Sequence, residues 1–232
     1  MSEQYPLMLP HRAGFETADY LVSDCNRAAY DLIAGWLHWP NRAAAIWGEA
    51  GAGKTHLAHV WMAAADARPL GVANLIDLEP ALFEGPCRFA FDLDGGALPP
   101  EAETAMFHLL NAARERRGAV LILARAAPAR WGVALPDLAS RLRALPATEV
   151  GQPDDRLFSD VLAKLFADRQ LAVDRDTLDY LTLRSERSFE AAQRLVARLD
   201  LAALAMKRSI TKPLARDVLA EIADEQSSQS AG

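Results

Sequence analysis

The chain has 232 residues, of which 51% are hydrophobic, 7% aromatic and 24% charged, and its formal net charge is −6. This apolar content is sufficient for a packed core and excludes a disordered or collagen-like chain. The negative charge argues against nonspecific DNA binding by the whole surface. Two cysteines, Cys25 and Cys87, are too few for a disulfide framework or a metal set. With no signal peptide or membrane span in the sequence, we expect a cytoplasmic protein without a membrane partner.

Up to about residue 153, short apolar segments bounded by Gly and Pro alternate with helical patterns. The apolar segments predict five buried strands, at 43–47, 70–75, 88–93, 119–123 and 148–150. The helices predicted between them cover roughly 26–37, 54–67, 101–117 and 136–145. Strands alternating with helices indicate a parallel sheet that is covered by helices on both faces. We therefore predict an α/β domain over residues 13–153.

Beyond Pro153 the periodicity is helical throughout. An apolar stripe within 157–166 predicts a first helix, and Asp176 is a plausible N-cap of a second helix that ends at Leu183. Ser188 could begin a third helix, and the polar start at 211–213 a fourth that ends at Ile222. We predict a small helical domain over 154–223, followed by a disordered polar tail at 224–232.

The strongest local signal is the sequence GEAGAGKT at 48–55, which matches the phosphate-loop pattern G-x-x-x-x-G-K-[S/T] in full. A predicted strand precedes it and a predicted helix follows it. In this context the backbone N–H groups and the helix N-terminus cradle phosphate oxygens. Lys54 can reach the β and γ phosphates, and the Thr55 hydroxyl can bind Mg²⁺. The loop residues predicted to bind a nucleotide are Gly48, Gly51, Ala52, Gly53, Lys54, Thr55 and His56.

A phosphate loop also needs a carboxylate for Mg²⁺ at the end of a neighbouring strand. The apolar segment at 89–91 leads directly into Asp92, which we predict to be this second Mg²⁺ residue. Many phosphate-loop ATPases carry an acidic residue at the next position, where it orients the attacking water, but this chain has Leu93. Asp94 cannot simply replace it, because successive strand residues point to opposite faces. The sequence therefore predicts nucleotide binding with weak or absent hydrolysis by this chain.

The phosphate loop, the strand that ends in Asp92, the run LPDLASRLR at 135–143 and the helical lid together resemble the AAA+ module of the DnaA family. The resemblance covers about residues 15–222 and stops where DnaA would continue into its DNA-binding domain. A bare AAA+ module with a short N-terminal extension is most similar to the Hda type within this family, whose members inactivate DnaA after replication starts. The implied fold is a parallel AAA+ sheet sandwiched by helices and followed by a small all-α lid.

The resemblance implies roles for two arginines. Arg141 matches the family's arginine finger, which reaches a nucleotide held by a neighbouring subunit, and a solvated helix arginine is the alternative. Arg187 matches the lid arginine that senses phosphates, for which Arg184 and Arg194 are nearby alternatives. Ala124 occupies a sensor position where the family usually has a small polar residue, which again argues against hydrolysis by this chain.

The resemblance also bears on the base and on the cofactors. Leu21 lies with Tyr20 and Asn26 in the segment that wraps the adenine in this family, although a purely structural role fits these residues equally well. The implied cofactors are ADP or ATP with Mg²⁺. Regulators of this type work in the ADP-bound state.

The N-terminal peptide 1–12 contains the pattern Q-x-x-L-x-L, formed by Gln4, Leu7 and Leu9. It resembles the peptide by which Hda-type proteins bind the DNA sliding clamp, the beta subunit of DNA polymerase III. A Gln amide makes directed hydrogen bonds, the two leucines can fill an apolar groove, and Pro6 favours an extended chain. A peptide that packs on the protein's own surface is the alternative.

These observations predict a negative regulator of replication initiation. It would bind an adenine nucleotide and the clamp, reach DNA indirectly through the clamp, and promote hydrolysis of DnaA-bound ATP through Arg141. A homodimer and an association with the nucleoid or replisome are compatible with this prediction. The alternatives are a self-contained AAA+ ATPase such as a helicase loader and, with less support, a small-molecule phosphate-loop kinase.

Overall fold

The computed structural model describes residues 20–76, 87–93, 98–206 and 208–229, with the backbone alone for 226–229. Five strands in these residues form one parallel sheet in the order β2-β3-β4-β1-β5. They are β1 (Ala43–Trp47), β2 (Arg68–Gly71), β3 (Arg88–Asp92), β4 (Ala119–Ala124) and β5 (Ala147–Glu149). The predicted α/β fold is confirmed. The peptide 1–12 with Gln4, Leu7 and Leu9 lies outside the described residues, as does Asp94.

The two central strands explain why the predicted apolar segments are continuous rather than alternating. Every residue of β4 is buried, and so are the first four of β1, because helices cover both faces of the sheet. Ala44 lies beside Leu121 and Ile46 beside Leu123 in the parallel register. The small alanines of β1 leave room for the helices that pack against this strand.

In the described part of the α/β domain there are five α-helices: α1 (Arg27–Ala34), α2 (Lys54–Ala65), α3 (Val72–Ile76), α4 (Pro100–Glu115) and α5 (Pro136–Arg143). Helices α1 and α2 pack on one face of the sheet, where Ile33, Leu57 and Trp61 are buried. Helices α4 and α5 pack on the other face, where Met106 and Leu138 are buried. The two faces thus carry separate apolar cores.

Two predicted elements of this domain were wrong in extent. The strand predicted at 70–75 ends at Gly71, and the rest of the apolar run forms α3, because an apolar run this short does not distinguish a strand from a helix. The strand β2 pairs with β3 over residues 68–71. The helix predicted at 26–37 ends at Ala34, and a separate 3-10 turn, Trp36–His38, follows Gly35.

The lid consists of α6 (Asp155–Asp168), α7 (Arg175–Arg184), α8 (Phe189–Met206) and α9 (Lys212–Gln229). Its core contains Phe158, Phe166 and Leu199, which are at most 1% exposed. The boundary predicted at residue 154 is marked by Asp154, which caps α6 by accepting a hydrogen bond from the Leu157 N–H at 2.7 Å.

The prediction of Asp176 as the cap of the second lid helix was wrong. The cap is Asp174, whose carboxylate accepts a hydrogen bond from the Thr177 N–H at 2.7 Å, and Asp176 lies in the first turn. This hydrogen bond from the Thr177 backbone holds the pKa of the Asp174 carboxyl below its usual value. Asp174 and Asp176 are two residues apart and present the same local signal for a cap. The buried Thr177 and Leu181 decide which of them lies outside the first turn.

The disordered tail predicted at 224–232 is also corrected, because α9 continues to Gln229. Arg198 of α8 forms ion pairs with Glu221 at 3.6 Å and with Glu225 at 2.6 Å. Both glutamates lie on α9, so these contacts join its polar end to the preceding helix. Among the described residues, the helices are too short or too polar to cross a membrane.

Candidate functional site

The phosphate loop connects β1 to α2, and its glycines adopt backbone angles that other residues rarely reach. Gly51 has φ of +73° and Gly53 has φ of +93°, both in the left-handed region. A side chain at Gly48 would place its Cβ 2.3 Å from the carbonyl oxygen of Val150. The predicted G-x-x-x-x-G pattern therefore reflects both backbone conformation and close packing.

Lys54 folds back over this loop from the first turn of α2. Its ammonium donates hydrogen bonds to the carbonyl oxygens of Gly48 at 2.8 Å and Glu49 at 2.7 Å. Burial lowers the pKa of Lys54, the carboxylate of Asp92 opposes this shift, and the positive charge of Arg125 adds to it. Phosphate oxygens, which are stronger acceptors than carbonyls, suit the same ammonium.

The two residues predicted for Mg²⁺, Thr55 and Asp92, lie on α2 and β3. Asp92 ends β3 and pairs in register with Leu123 of β4, while Trp47 at the end of β1 pairs with Ala124. The carboxyl ends of these strands thus meet at one edge of the sheet. The loop that follows β1 leads into α2, and Thr55 is exposed in the first turn of this helix. Mg²⁺ in nucleotide sites takes one or two protein oxygens and completes its shell with water and phosphate. Among the described residues there is no group of three or more His, Cys, Asp and Glu that could hold a metal by itself. The donor set therefore fits Mg²⁺ bound together with a nucleotide.

Leu93 follows Asp92 and is 1% exposed, and its N–H donates to the carbonyl of Leu123 at 2.9 Å. Its side chain is packed in the apolar core beside α4. An apolar, buried side chain at this position cannot orient a water molecule for attack.

The lid contacts the phosphate loop through the start of α8. The Phe189 N–H donates to the Gly51 carbonyl at 2.9 Å, and a Cβ at Gly51 would lie 2.4 Å from the Cβ of Ser188. A Cβ at Gly53 would lie 2.9 Å from the Phe189 ring. Ser188 was predicted to start the helix, and its hydrogen bond from the Ala191 N–H at 3.0 Å supports this role. The packing of Ser188 and Phe189 on the loop was not predicted.

A cleft of about 650 Å³ lies beside this contact and is lined by Glu49, Ala50, Arg125, Gln152, Glu186 and Arg187. Arg187 reaches across the lid to Asp155, with 2.7 Å between the guanidinium and the carboxylate. The structure thus brings Arg187 to the phosphate loop. It also adds Arg125 and Gln152, which no local pattern in the sequence distinguished.

Leu21 lines a second cleft, of about 330 Å³, together with Asp24 and Arg27 on one side and Asp154 and Leu157 of the lid on the other. Its carbonyl accepts a hydrogen bond from the Asn26 side chain at 2.9 Å. Tyr20 is buried beside it and packs edge-on against His56, with 5.2 Å between the ring centroids. His56 therefore contacts the segment predicted to wrap the adenine.

Arg141 lies on α5, on the face of the sheet opposite α2. Its guanidinium donates a hydrogen bond to the Asn111 side chain and lies 4.4 Å from the centre of the Phe107 ring. Both partners belong to α4 of the same chain. The structure therefore does not bring Arg141 to the phosphate loop through which its own chain would bind a nucleotide.

Solved structures with the same fold include replication initiation proteins and a Holliday junction branch migration motor. Domain III of the replication initiation protein DnaA from Thermotoga maritima aligns with a TM-score of 0.78 and 14% identity, covering 89% of this chain and 96% of that one. AMPPCP-bound DnaA from Aquifex aeolicus gives 0.69 and 14%, covering 82% and 66%. The Thermotoga maritima RuvB Holliday junction branch migration motor gives 0.65 and 14%, covering 84% and 66%. At such identities the likeness establishes the fold.

The lid is the part of the chain whose sequence matches a known family. Residues 155–219 match the family described as Hda, lid domain. The lid is thus related in sequence to the Hda lid domain, and the chain as a whole has the fold of DnaA domain III. Among curated protein sequences, none matches it significantly.

Proposed function

We propose that this chain is an Hda-type negative regulator of replication initiation. In this proposal it holds ADP or ATP with Mg²⁺, binds the sliding clamp and DnaA, and promotes hydrolysis of the ATP that DnaA carries. The observation that supports it most directly is the match of residues 155–219 to the Hda lid. The third helix of this lid packs on the phosphate loop, so the matched region forms part of the candidate nucleotide site.

The nucleotide would be held by the loop glycines, by Lys54 and by the lid. Lys54 and the loop N–H groups would bind its phosphates, and Thr55 and Asp92 would hold Mg²⁺. Leu21 of the α/β domain would contact the base, and Arg187 of the lid would contact the phosphates. Binding of AMPPCP by a DnaA of the same fold supports this assignment. The buried Leu93 supports retention of the nucleotide with weak or absent turnover.

The catalytic contribution would be made at the partner's nucleotide. Charge accumulates on the γ-phosphate oxygens in the transition state of hydrolysis, and a guanidinium neutralises it. Arg141 is half-buried, lies on the face opposite α2 and is held by α4, an arrangement that favours action outside its own phosphate loop. The ATP of DnaA would thus be hydrolysed when Arg141 enters the site from the neighbouring chain.

The partners and the location follow from the same proposal. Gln4, Leu7 and Leu9 would bind the sliding clamp, and the net charge of −6 favours DNA contact through the clamp rather than directly. The protein would act in the cytoplasm at the replisome, with a homodimer as a further possible assembly.

The test is a reconstituted reaction with clamp, DNA, ATP-bound DnaA and this protein. Arg141→Ala is compared with Arg143→Ala, since Arg143 lies on the same helix with its Nε bonded to the Ala139 carbonyl at 3.1 Å. We expect Arg141→Ala to abolish the stimulated hydrolysis, because arginine fingers in trans contribute roughly 10³–10⁵ in rate. Arg143→Ala should stimulate normally.

The reaction without DnaA distinguishes the main alternative. Steady ATP turnover by this chain alone, together with full stimulation by Arg141→Ala, would favour a self-contained ATPase. Copurification of ADP and negligible turnover is the expected result.

A further inference from the structure

Arginines lie at the amino ends of four adjacent strands of the sheet. Arg68 and Arg88 are the first residues of β2 and β3. Arg42 directly precedes β1, and Arg116 and Arg117 lie just before β4. The order β2-β3-β4-β1 sets these strands side by side, and neighbouring strands are about 4.8 Å apart, so the row extends over about 14 Å. We call these five residues the arginine edge.

A backbone contact and a shared electrostatic effect show that arginines from different strands lie close together. The Ala119 N–H donates to the Cys87 carbonyl at 2.8 Å, which sets the segment 116–118 beside the start of β3. Burial raises the pKa of the Cys87 thiol to about 11, and the positive charges of Arg116 and Arg68 oppose this rise. Arginines at the ends of β2 and β4 therefore both act on a residue at the start of β3.

Two arginines of the edge are held by uncharged groups. Arg88 donates a hydrogen bond at 2.8 Å to the carbonyl of Ala65, the last residue of α2, where a positive charge is favourable. Arg42 donates to the Leu37 carbonyl at 3.0 Å. Carbonyl oxygens orient a guanidinium without neutralising its charge. The other three arginines of the edge are exposed: Arg68, Arg116 and Arg117.

The edge concentrates positive charge on a chain that is acidic overall. In the described part of the chain, the acidic residues within two positions of these arginines are Asp66 and Glu115, and Arg114 adds a further positive charge. Six arginines against two carboxylates give a formal charge of +4, so the rest of the chain carries −10. A separation of charge of this kind is typical of a surface that binds a polyanion.

The shape of the edge suits an extended row of phosphates. Duplex DNA carries about one phosphate per 3.4 Å along each strand, so a row of about 14 Å spans roughly four phosphates. A guanidinium presents its N–H donors in one plane and can bind two phosphate oxygens at once. Contacts with phosphates carry no sequence information, so this edge should bind DNA independently of its sequence.

We infer that the arginine edge binds the phosphate backbone of duplex DNA, as a second contact in addition to the clamp. Its role in regulation rests on the proposed function, because the clamp would raise the effective concentration of DNA at the edge. Binding through a few phosphates alone is weak and sensitive to salt. The phosphate loop follows the carboxyl end of β1, at the opposite end of the strands, so DNA and a nucleotide can be bound at the same time.

The test compares two triple variants that remove the same charge. Fluorescence anisotropy measures their binding to a labelled DNA duplex without clamp, from about 50 to 200 mM salt. One variant neutralises the exposed residues of the edge: Arg68→Gln, Arg116→Gln and Arg117→Gln. The control neutralises three exposed arginines of the lid: Arg175→Gln, Arg184→Gln and Arg216→Gln.

We expect the edge variant to bind the duplex at least about tenfold more weakly than the wild type at the lowest salt concentration. The slope of log affinity against log salt should become shallower by about 2–3, since each lost phosphate contact removes about 0.9. The control should keep the affinity and the slope of the wild type.

Three results would overturn the inference. The first is that the wild type shows no binding to the duplex at about 50 mM salt. The second is that the edge variant and the control have the same affinity and slope, since net charge alone would then account for any loss. The third is normal DNA binding by the edge variant together with lost stimulation of DnaA, which would assign the edge to an acidic protein surface.

The absence of clamp from the assay separates this inference from the proposed function. A wild type that neither binds the clamp nor stimulates DnaA would refute the proposed function, while selective loss of DNA binding in the edge variant would still support the edge. Melting temperature and ADP affinity establish that the variants are folded. If the edge variant does not fold, Arg117→Gln alone provides the test: its slope should be shallower by about one, and an unchanged slope overturns the inference.

Discussion

The ammonium of Lys54 lies in surroundings that favour binding of an anion. Its ammonium is bonded to two carbonyls of its own loop, and burial lowers its pKa. A phosphate placed against it would favour the charged form and would replace carbonyl acceptors with charged ones. The interaction of Lys54 with the loop is therefore the one that nucleotide binding is expected to change most.

Replacing Lys54 should weaken nucleotide binding without unfolding the protein. We expect Lys54→Ala to lower the ADP affinity by about 10- to 100-fold, since hydrogen bonds to charged groups contribute about 1.5–3 kcal/mol. Lys164→Ala is the control, because Lys164 lies on α6 of the lid and pairs with Asp168 at 3.5 Å. Isothermal titration gives both affinities. Equal ADP affinity of the two variants would contradict the assignment of the site.

Residues of the candidate site could be predicted where a short sequence pattern contains them. Lys54 and Thr55 belong to one contiguous pattern, and Asp92 follows an apolar strand that β3 confirms. Arg125 and Gln152 were not predicted, because an arginine after a strand and a glutamine in a linker have no local signature. They reach the cleft through the packing of the lid against the α/β domain, a tertiary property.

At the level of elements, the junction between the phosphate loop and α8 is the most constrained contact in the site. The Gly51 carbonyl accepts the Phe189 N–H, and the glycine leaves room for Ser188. The lid thus packs on the backbone of the loop rather than on side chains. A substitution in the loop should consequently also disturb the packing of the lid.

Gly51→Ala tests this junction, and Gly132→Ala is its matched control. Both glycines have positive φ, +73° and +60°, but a Cβ at Gly132 has no atom within 4 Å. The control should cost about 1–2 kcal/mol for the left-handed backbone alone. At Gly51 the clash with Ser188 adds to that cost, so we expect the lower melting temperature for Gly51→Ala. Equal melting temperatures would mean that the lid does not rest on the loop.

Helices and strands were predicted best where the sequence has a long apolar run or a specific motif. The strands β1, β3 and β4 follow from continuous apolar runs, and α2 follows from the phosphate-loop pattern. The error at 70–75 arises because Leu70 and Leu75 are both buried, one in a strand and one in a helix. The end of α9 was missed because its partner, Arg198, lies on another helix, so the polar sequence alone carries no sign of that contact.

At the level of the whole molecule, the charge and the domain order determine how the protein can meet its partners. A chain with net charge −6 has no overall positive charge to attract DNA, so the proposed recruitment to DNA would use a separate contact. The lid and the α/β domain were both predicted from a change of periodicity near residue 153. Their relationship to Hda was predictable because the run at 135–143 and the phosphate loop occur together, and residues 155–219 match the Hda lid.

Recruitment through the N-terminal peptide is a prediction from sequence alone, and Leu7 and Leu9 are its anchors. Each leucine would bury apolar area worth about 1.5–3 kcal/mol on the clamp, less the cost of ordering the peptide. We expect the double variant Leu7→Ala, Leu9→Ala to bind the clamp at least about tenfold more weakly, because 1.4 kcal/mol corresponds to one decade. Surface plasmon resonance against immobilised clamp gives the affinity.

Met8→Ala is the control, since Met8 is also apolar but occupies an unspecified position of Q-x-x-L-x-L. ADP affinity and the melting temperature should be unchanged in both variants, because the phosphate loop is not altered. Equal clamp binding by a folded double variant would assign the peptide to this protein's own surface, and the regulator would then need another route to DNA.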